Sequence, residues 1–538
     1  MTYHVSRQSL LALGSSFSAS SLLDGPRAVP SAGKTGMARR GLTGGALLAS
    51  CLLTWDSVAA QSPSDANKIE RLERQVDLLQ KQLTALQGEI RQAKKKAEPA
   101  QPPRHPQTQQ VGDQTQQQVG EETRRAAEPK KIETAAAGRV DFPHGRPTVT
   151  SADGRISLAI GEQFQFDVGD YFQTRRSGIF EPPGARELNN GVNLRRGRVY
   201  FVGTFDEWTA RITPEFGGSP DGSPSLFEAN LNYTYGPITA TIGYFKPYDT
   251  LARSQFPGDA LFLERPSIAL IASNVADGIQ RASAGFKAST EDYFIASYLT
   301  GPLFGAQRPV LLNNEQIGGT LRLATRPFRG DDWNLHVGFS GSTAFKFNKS
   351  DFQPGGSPEG IRLSDQPELR IDFNPLIDTG FIPAKSAVTW GFELAANWQN
   401  FLVQGEYIGI EVKPTVGKDL NFAGWYVEGS WMLTGESRPY LASSATYGSP
   451  VPYRPFEIGR GWGAWELAGR YSVTDLNSGV VFGGRQTVAS AALSWYATEH
   501  VRFTLQGSHV DVDRRDPIRS VQVGQSFWDV ALRTQVVY

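Results

Sequence analysis

The stretch FWDVALRTQVVY, residues Phe527–Tyr538, decides the fold. Its polar side chains alternate with hydrophobic and aromatic ones. Asp529, Arg533 and Gln535 fall on one face, and the opposite face carries Trp528, Val530, Leu532, Thr534, Val536 and Tyr538. Because successive side chains of a β-strand point to opposite faces, the pattern predicts a strand with one apolar and one polar face.

The same alternation recurs from Ser151 to Tyr538, in short runs separated by Gly, Pro, Asn, Asp and Ser. GAWELAGRYSV (463–473), GWYVEGSWML (424–433) and VRFTLQGS (501–508) are clear examples. No helical periodicity accompanies these runs, and the span is too long for one soluble β-sandwich. An apolar face toward lipid and a polar face toward a wet lumen are typical of a transmembrane β-barrel, in which closure pairs every backbone group.

The predicted fold is therefore all-β, a transmembrane antiparallel β-barrel over residues 151–538. At about 24 residues per strand and loop, sixteen strands fit the span, and fourteen or eighteen also divide it plausibly. A barrel of this size has room for an aqueous channel unless a loop plugs it. The terminal aromatic residue resembles the assembly signal of bacterial outer-membrane proteins, so we expect localisation in the bacterial outer membrane.

The N-terminal part predicts export. MARRGLTGGALLASCLLTWDSVAA (residues 37–60) combines basic residues, an apolar run and small residues, as in a secretory signal peptide cleaved after Ala60. Residues 1–36 are then an upstream over-extension. Lipidation of Cys51 is the alternative, disfavoured because the apolar run continues beyond it. Cys51 is the only cysteine, so the cleaved chain has none for a disulfide, a nucleophile or a metal.

Two further segments precede the barrel. In residues 61–93, hydrophobic side chains recur at alternating intervals of three and four, at Ile69, Leu72, Val76, Leu79, Leu83, Leu86 and Ile90. This pattern predicts a short coiled-coil helix of unknown oligomer number, with a single amphipathic helix as the alternative. Residues 94–150 are polar and low in complexity, which predicts a disordered linker.

The sequence offers no signature of catalysis. The six histidines lack zinc-ligand spacing, and neither a GxSxG elbow nor a Walker-type loop occurs. We therefore expect no enzyme, no catalytic residue, no metal and no cofactor. A formal net charge of zero gives no indication of nucleic-acid binding. Acidic side chains outnumber basic ones after Ser151, so any anion selectivity must be local, at a constriction.

The run VNLRRGRVYF (192–201) concentrates charge in a predicted strand. Arginine suits oxyanions because its planar fork donates two parallel charge-assisted hydrogen bonds. If Val199 and Phe201 face lipid, Arg196 and Arg198 face the lumen, and Arg195 falls on the lipid side. A charge at the bilayer midplane of a barrel costs about 2 to 4 kcal/mol. We therefore predict that Arg195 lies beyond the apolar band or at a bulge that turns it inward beside Arg196.

The barrel region resembles the phosphate-selective porins of the O and P type. The motifs that carry the resemblance include LRRGRVYF, IGYFKPYDTL and LERP, and later LTGESRPY and GAWELAGRYSVTDLN. The resemblance implies a sixteen-stranded, trimeric outer-membrane barrel that passes phosphate, polyphosphate or related anions through an arginine-lined constriction.

Carried over by position, the constriction arginines of the family fall on Arg195 and Arg196, and the arginine of its LER motif falls on Arg265. Arg253 is a weaker match. Arg198 is added to these predicted site residues because strand alternation places it on the lumen face. Two departures bear on phosphate: Gln163 stands where members carry an arginine, and Phe227 stands where they carry an aspartate, with Glu228 beside it.

We therefore expect an outer-membrane porin for passive diffusion of oxyanions, a homotrimer in contact with membrane lipid. An alternative role for any one of these arginines is to brace the barrel wall against lumen acids. Alternatives for the whole protein are a general-diffusion or organic-anion porin, or a structural tether reaching from a barrel anchor through the periplasm.

Overall fold

The computed structural model describes residues 138–173, 187–218, 224–276, 280–303, 316–347, 359–515 and 522–538. The expected over-extension, signal peptide and coiled coil, and the linker up to residue 137, lie outside the described residues. No helix within the described ranges is long and apolar enough to cross a membrane.

Sixteen of the twenty-one strands in the described residues form a closed antiparallel barrel, which confirms the predicted fold class. Each barrel strand pairs with the next, and β21 pairs with β3 to close the cylinder. The sixteen are β3 (Ile156–Gln173), β4 (Gly191–Phe205), β5 (Trp208–Glu215), β6 (Ser225–Tyr235), β7 (Ile238–Phe245), β8 (Arg281–Ser289), β9 (Tyr293–Leu303), β10 (Ile317–Arg329), β11 (Trp333–Lys346), β13 (Ile377–Trp398), β14 (Phe401–Pro414), β15 (Leu420–Met432), β18 (Ala464–Ser478), β19 (Val481–Tyr496), β20 (Val501–Asp513) and β21 (Ser526–Val537).

The alternation read from the sequence sorts side chains as predicted. On β21, Trp528 and Leu532 are exposed on the outer surface, whereas Asp529 and Arg533 are buried in the lumen. Outward aromatic residues form two levels on neighbouring strands. Trp390 and Trp398 mark these levels on β13, and their ring neighbours are Tyr407 and Phe401 on β14. Eight residues of a tilted strand span roughly 20 Å, so both levels fit within the roughly 25 Å apolar band of a barrel in lipid.

Two short strands lie before Ser151, within the last residues of the expected linker 94–150. β1 (Arg139–Asp141) pairs with β2 (Thr148–Thr150), and β2 pairs with the first residues of β3. A 3-10 turn, Pro143–Gly145, joins them. These residues are ordered because β2 occupies the edge of β3 that β21 leaves unpaired, which satisfies backbone groups there.

This hairpin also holds the terminal tyrosine. Arg146 Nη2 donates to the Tyr538 carbonyl at 3.1 Å, and the Tyr538 N–H donates to the Glu162 carbonyl at 3.0 Å. The His500 ring stacks on the Tyr538 ring with centroids 4.7 Å apart. Gly145, at φ +73°, leaves room for both rings, because a Cβ there would lie 2.9 Å from His500 Nε2.

The connection between β7 and β8 folds into the barrel along its described residues 246–276. We call it the lumen loop. It contains α1 (Leu251–Ser254) and α2 (Ser267–Ala276). α2 is buried almost completely and contacts strands between β10 and β18. Gly424 permits this approach, since a Cβ there would lie 2.8 Å from the Ile268 side chain. The loop therefore fills one side of the lumen and leaves the side of β4–β9 open.

A second inward segment, the lumen turn (residues 433–463), rises from the opposite end between β15 and β18. It contains the short hairpin β16 (Tyr440–Leu441) and β17 (Thr446–Tyr447). Arg438 forms a bidentate pair with Glu466, at 2.6 and 2.7 Å, and donates to the Asp259 carbonyl at 2.8 Å. Arg438 therefore ties the lumen turn to both the barrel wall and the lumen loop.

A third segment enters after β12 (Gly360–Asp365), which pairs with the first part of β13. Glu368 lies 2.6 Å from Arg470 Nη2 on the inner wall and accepts a hydrogen bond from the Ser267 N–H of α2. Arg370, from the same segment, reaches Asp365 at 2.8 Å. These contacts complete the frame that surrounds the remaining open space.

Candidate functional site

The open space is a cavity of about 840 Å³ between the inner wall of β4–β9 and the lumen loop. Among the described residues, nine basic side chains line it, against two carboxylates, Glu228 and Asp365. All five arginines singled out in the sequence, Arg195, Arg196, Arg198, Arg253 and Arg265, are among the nine. Since the whole chain carries no net charge, the basic excess is local to this space.

A bulge in β4 turns Arg195 inward, as predicted. Gln165 of β3 pairs with Arg196 and the next residue, Phe166, pairs with Leu194, so Arg195 is the additional residue of the bulge. Before the bulge, residues of β4 with odd numbers face the lumen, and after the bulge residues with even numbers do. Arg195 and Arg196 therefore point to the same side, which alternation without a bulge forbids.

Glu264 of the lumen loop is the common partner of the arginines at this bulge. Arg195 donates to it through Nε at 2.5 Å and Nη2 at 3.0 Å. Three more guanidinium groups lie within 4.0 Å, those of Arg533, Arg370 and Arg196. Burial opposes ionisation of Glu264, but Arg195 and Arg196 hold its pKa well below the usual range.

One carboxylate cannot neutralise this cluster by itself. Arg533 has its own partner, Asp167, at 2.6 Å through both Nε and Nη2, and Arg370 has Asp365. Arg196 donates to the Gln165 amide oxygen, and its closest carboxylate oxygen lies 3.9 Å away on Glu264. The buried Nε of Arg196 has no hydrogen-bond partner among the described residues. Positive charge therefore remains at Arg196.

The lumen loop contributes the opposing basic wall. Arg265 donates to the backbone carbonyls of Ala252 and Gln255, at 2.5 and 2.6 Å. Lys246 donates to the Arg253 carbonyl, and Arg253 Nε lies 3.9 Å from Asp249. Within the described ranges, no carboxylate lies within 4.0 Å of the side-chain nitrogens of Arg265 or Lys246, so no acid cancels the charge of Arg265. Burial and the neighbouring Arg265 and Arg253 lower the pKa of Lys246 well below its usual range.

Arg198, like Arg195 and unlike Arg196 and Arg265, is hydrogen-bonded to a carboxylate. Its Nε donates to Glu215, and its Nη1 donates to Gln163 at 3.1 Å. Its guanidinium carbon lies 3.5 Å from the centroid of the Phe227 ring. The bracing role weighed as an alternative therefore describes the contacts of Arg198, and in part those of Arg195.

Phe227 faces the lumen through a second bulge that the sequence did not indicate. Thr213 pairs with Glu228, and Pro214 pairs with Leu226, so Phe227 is the additional residue in β6. Both Phe227 and Glu228 line the cavity. Glu228 accepts from Asn230 at 2.6 Å and lies 3.7 Å from Arg211 Nη1. An apolar ring thus lies against Arg198 and next in the chain to the lining carboxylate of Glu228.

Four further lining cations were missed in the sequence. Arg211 and Lys287 are strand residues at inward positions, which alternation could have identified. Lys246 directly follows β7, and Arg370 enters from the segment after β12, where no periodicity marks orientation. In the described part of the chain, no group of three or more His, Cys, Asp or Glu could hold a metal ion.

Comparison with known proteins places this geometry in context. The family model described as "Phosphate-selective porin O and P" matches residues 161–538. An uncharacterized protein of Caulobacter vibrioides is 27% identical over 411 residues, covering 73% of this chain and 76% of that protein. Porin O of Pseudomonas aeruginosa is 23% identical over 400 residues, covering 69% and 87%. The solved outer-membrane protein OmpT of Vibrio cholerae is 8% identical at a TM-score of 0.44, covering 71% and 98%.

Proposed function

The chain belongs to the phosphate-selective porin O and P family, and from this premise we propose that its barrel passes anions through the arginine-lined cavity. The porin role and the outer-membrane location follow from the family and from the closed barrel. The observation that carries the proposal is the lining of the cavity, nine basic side chains against two carboxylates. These side chains create a positive potential between low-dielectric walls, and such a potential concentrates anions and repels cations.

The proposed path runs between the bulge of β4 and the lumen loop. An anion entering it meets Arg195 and Arg196 on one side and Arg265, Lys246 and Arg253 on the other. Phosphate, polyphosphate and similar oxyanions suit these groups because guanidinium donors match their oxygens. Inorganic phosphate should therefore bind in the path and reduce the chloride current.

We also propose that the protein is a homotrimer. β5 and β7 have eight residues each, whereas β13 has twenty-two. Eight residues at the usual rise and tilt cover roughly 20 Å, less than the roughly 25 Å apolar band of a barrel in lipid. This sector is therefore suited to contact with partner protomers. The mass of the protein in detergent tests the proposal, and a monomer would refute it.

The variant Arg195→Ala/Arg196→Ala tests the role of the bulge arginines. We expect its chloride-over-potassium permeability ratio to fall by about thirtyfold. Two charges near a permeating ion contribute about 1 kcal/mol each at 4 Å even in bulk water, and 1.4 kcal/mol corresponds to a factor of ten. The ratio is obtained from the zero-current potential of planar bilayers in a KCl gradient.

The matched control is Arg155→Ala/Arg460→Ala, which removes two positive charges outside the cavity. Both side chains are mostly exposed, at 66% and 78%, and each forms an exposed ion pair. This control should keep the ratio of the unmodified protein. An equal ratio in the two double variants, with both proteins folded, would show that the bulge arginines do not set selectivity.

A further inference from the structure

The stack of Phe227 on Arg198 gives the cavity an apolar surface beside its charges. The ring is half-buried, lines the cavity and covers one face of a guanidinium group whose donors point elsewhere, to Glu215 and Gln163. Because Arg198 is already paired, this part of the wall offers an anion little charge. It offers instead an aromatic surface held in place by the bulge of β6.

Other aromatic side chains surround the same space. Tyr200 lies on β4, Tyr248 and Phe256 belong to the lumen loop, and Phe373 follows β12. Phe373 is 39% exposed. An inorganic oxyanion gains nothing from apolar rings, whose exposure to lumen water is unfavourable. A solute with a flat unsaturated body would cover them and form offset-stacked or edge-to-face contacts.

The cavity also has the size and the charges for such a solute. Its volume, about 840 Å³, falls within the range of sites that take small organic ligands. Among the described residues, Arg196 has no carboxylate oxygen closer than 3.9 Å, and Arg265 donates to two backbone carbonyls rather than to a carboxylate. An anionic head can therefore be held at the basic groups while the body lies against Phe227.

We propose that this porin favours aromatic organic anions, such as aryl carboxylates, and that Phe227 is the residue that confers the preference. The inference rests on the proposed anion-porin function and specifies its substrate class. In this proposal the carboxylate group binds at the guanidinium groups of the β4 bulge, and the aromatic ring stacks on Phe227. Aliphatic anions of equal charge and size lack the second contact.

Benzoate and cyclohexanecarboxylate provide the comparison, because both are monoanions with seven carbon atoms and only benzoate is planar and aromatic. In planar bilayers that contain the full-length protein, each is added to a chloride solution, and the reduction of chloride current is measured. We expect benzoate to act at about threefold to fivefold lower concentration, the scale of an aromatic pair contact. Equal potency of the two anions would overturn the inference.

Variants then assign the preference to Phe227. Phe227→Leu should bring the two anions to equal potency while the channel stays anion-selective, and Phe227→Tyr, which keeps the ring, should retain the preference. Phe172→Leu, on the outer surface, is the matched control and should behave as the unmodified protein. An unchanged preference in Phe227→Leu overturns the assignment. Cation selectivity of the unmodified protein would instead overturn the proposed function, so the two failures are distinguishable.

Discussion

Replacing Glu264 with glutamine lowers the stability of the folded barrel by about 3 to 5 kcal/mol, the usual cost of removing one partner from a buried ion pair. The change keeps the shape of the side chain and removes its charge. Arg195 loses the carboxylate that both its Nε and its Nη2 reach. Arg533 and Arg370 keep Asp167 and Asp365, so the loss centres on the bulge of β4.

Urea titration of the refolded protein in detergent, followed by tryptophan fluorescence, measures this change. Glu457→Gln is the matched control, because Glu457 forms an ion pair with Arg460 at 2.8 Å in which both side chains are exposed. Such exposed pairs contribute about 0 to 1 kcal/mol. If Glu264→Gln and Glu457→Gln unfold at the same urea concentration, Glu264 does not fix the lumen loop to the wall. In Glu264→Gln, loss of a negative charge should also raise the chloride-over-potassium ratio.

Arg322→Met should destabilise the barrel by a similar amount and widen the channel. Arg322 is fully buried and forms a bidentate pair with Glu393, at 2.8 Å for both contacts. It also donates to the carbonyls of Ser444 and Ala445 in the lumen turn, at 2.6 and 2.9 Å. The substitution leaves Glu393 buried with His336 as its remaining partner and releases the lumen turn.

The double variant Arg322→Met/Glu393→Leu separates the two effects. Removing both charges should restore about half of the lost stability, since an apolar pair avoids the cost of an unpaired buried charge. Single-channel conductance should stay high in both variants, because both lack the guanidinium group that binds Ser444 and Ala445. Equal unfolding midpoints for the single and double variants, or an unchanged conductance, would contradict this description of Arg322.

The barrel was predictable because alternation reports orientation at every strand position. Trp528 and Leu532 face outward, because lipid accepts apolar side chains. Asp529 and Arg533 face inward, because the lumen contains water. The bulge at Arg195 was predictable for the same reason, since a charge on the lipid side signals a conflict. A side chain whose chemistry disagrees with its face is thus a marker for a bulge.

The bulge at Phe227 gave no such signal. A phenylalanine on the lipid side and Glu228 on the lumen side satisfy alternation, so nothing in the sequence required an additional residue there. Glu264 was also missed, because its role depends on the lumen loop folding back onto β4, 69 residues earlier in the chain. Contacts of this kind arise from the path of a loop, which has no periodicity to reveal it.

The predicted cations divide by how their charge is used. Arg195 and Arg198 are held by Glu264 and Glu215, so they shape the wall as well as line it. Arg265 is fixed by two backbone carbonyls and keeps its charge for the cavity. Residue type alone could not make this distinction, because it depends on which acids the folded chain brings near each arginine.

We propose that the basic lining of the cavity makes this porin select anions. The zero-current potential of the unmodified protein, in planar bilayers with a KCl gradient at neutral pH, tests it most directly. We predict a potential whose sign shows that chloride is more permeant than potassium. A potential of the opposite sign, with potassium more permeant, would contradict the claim.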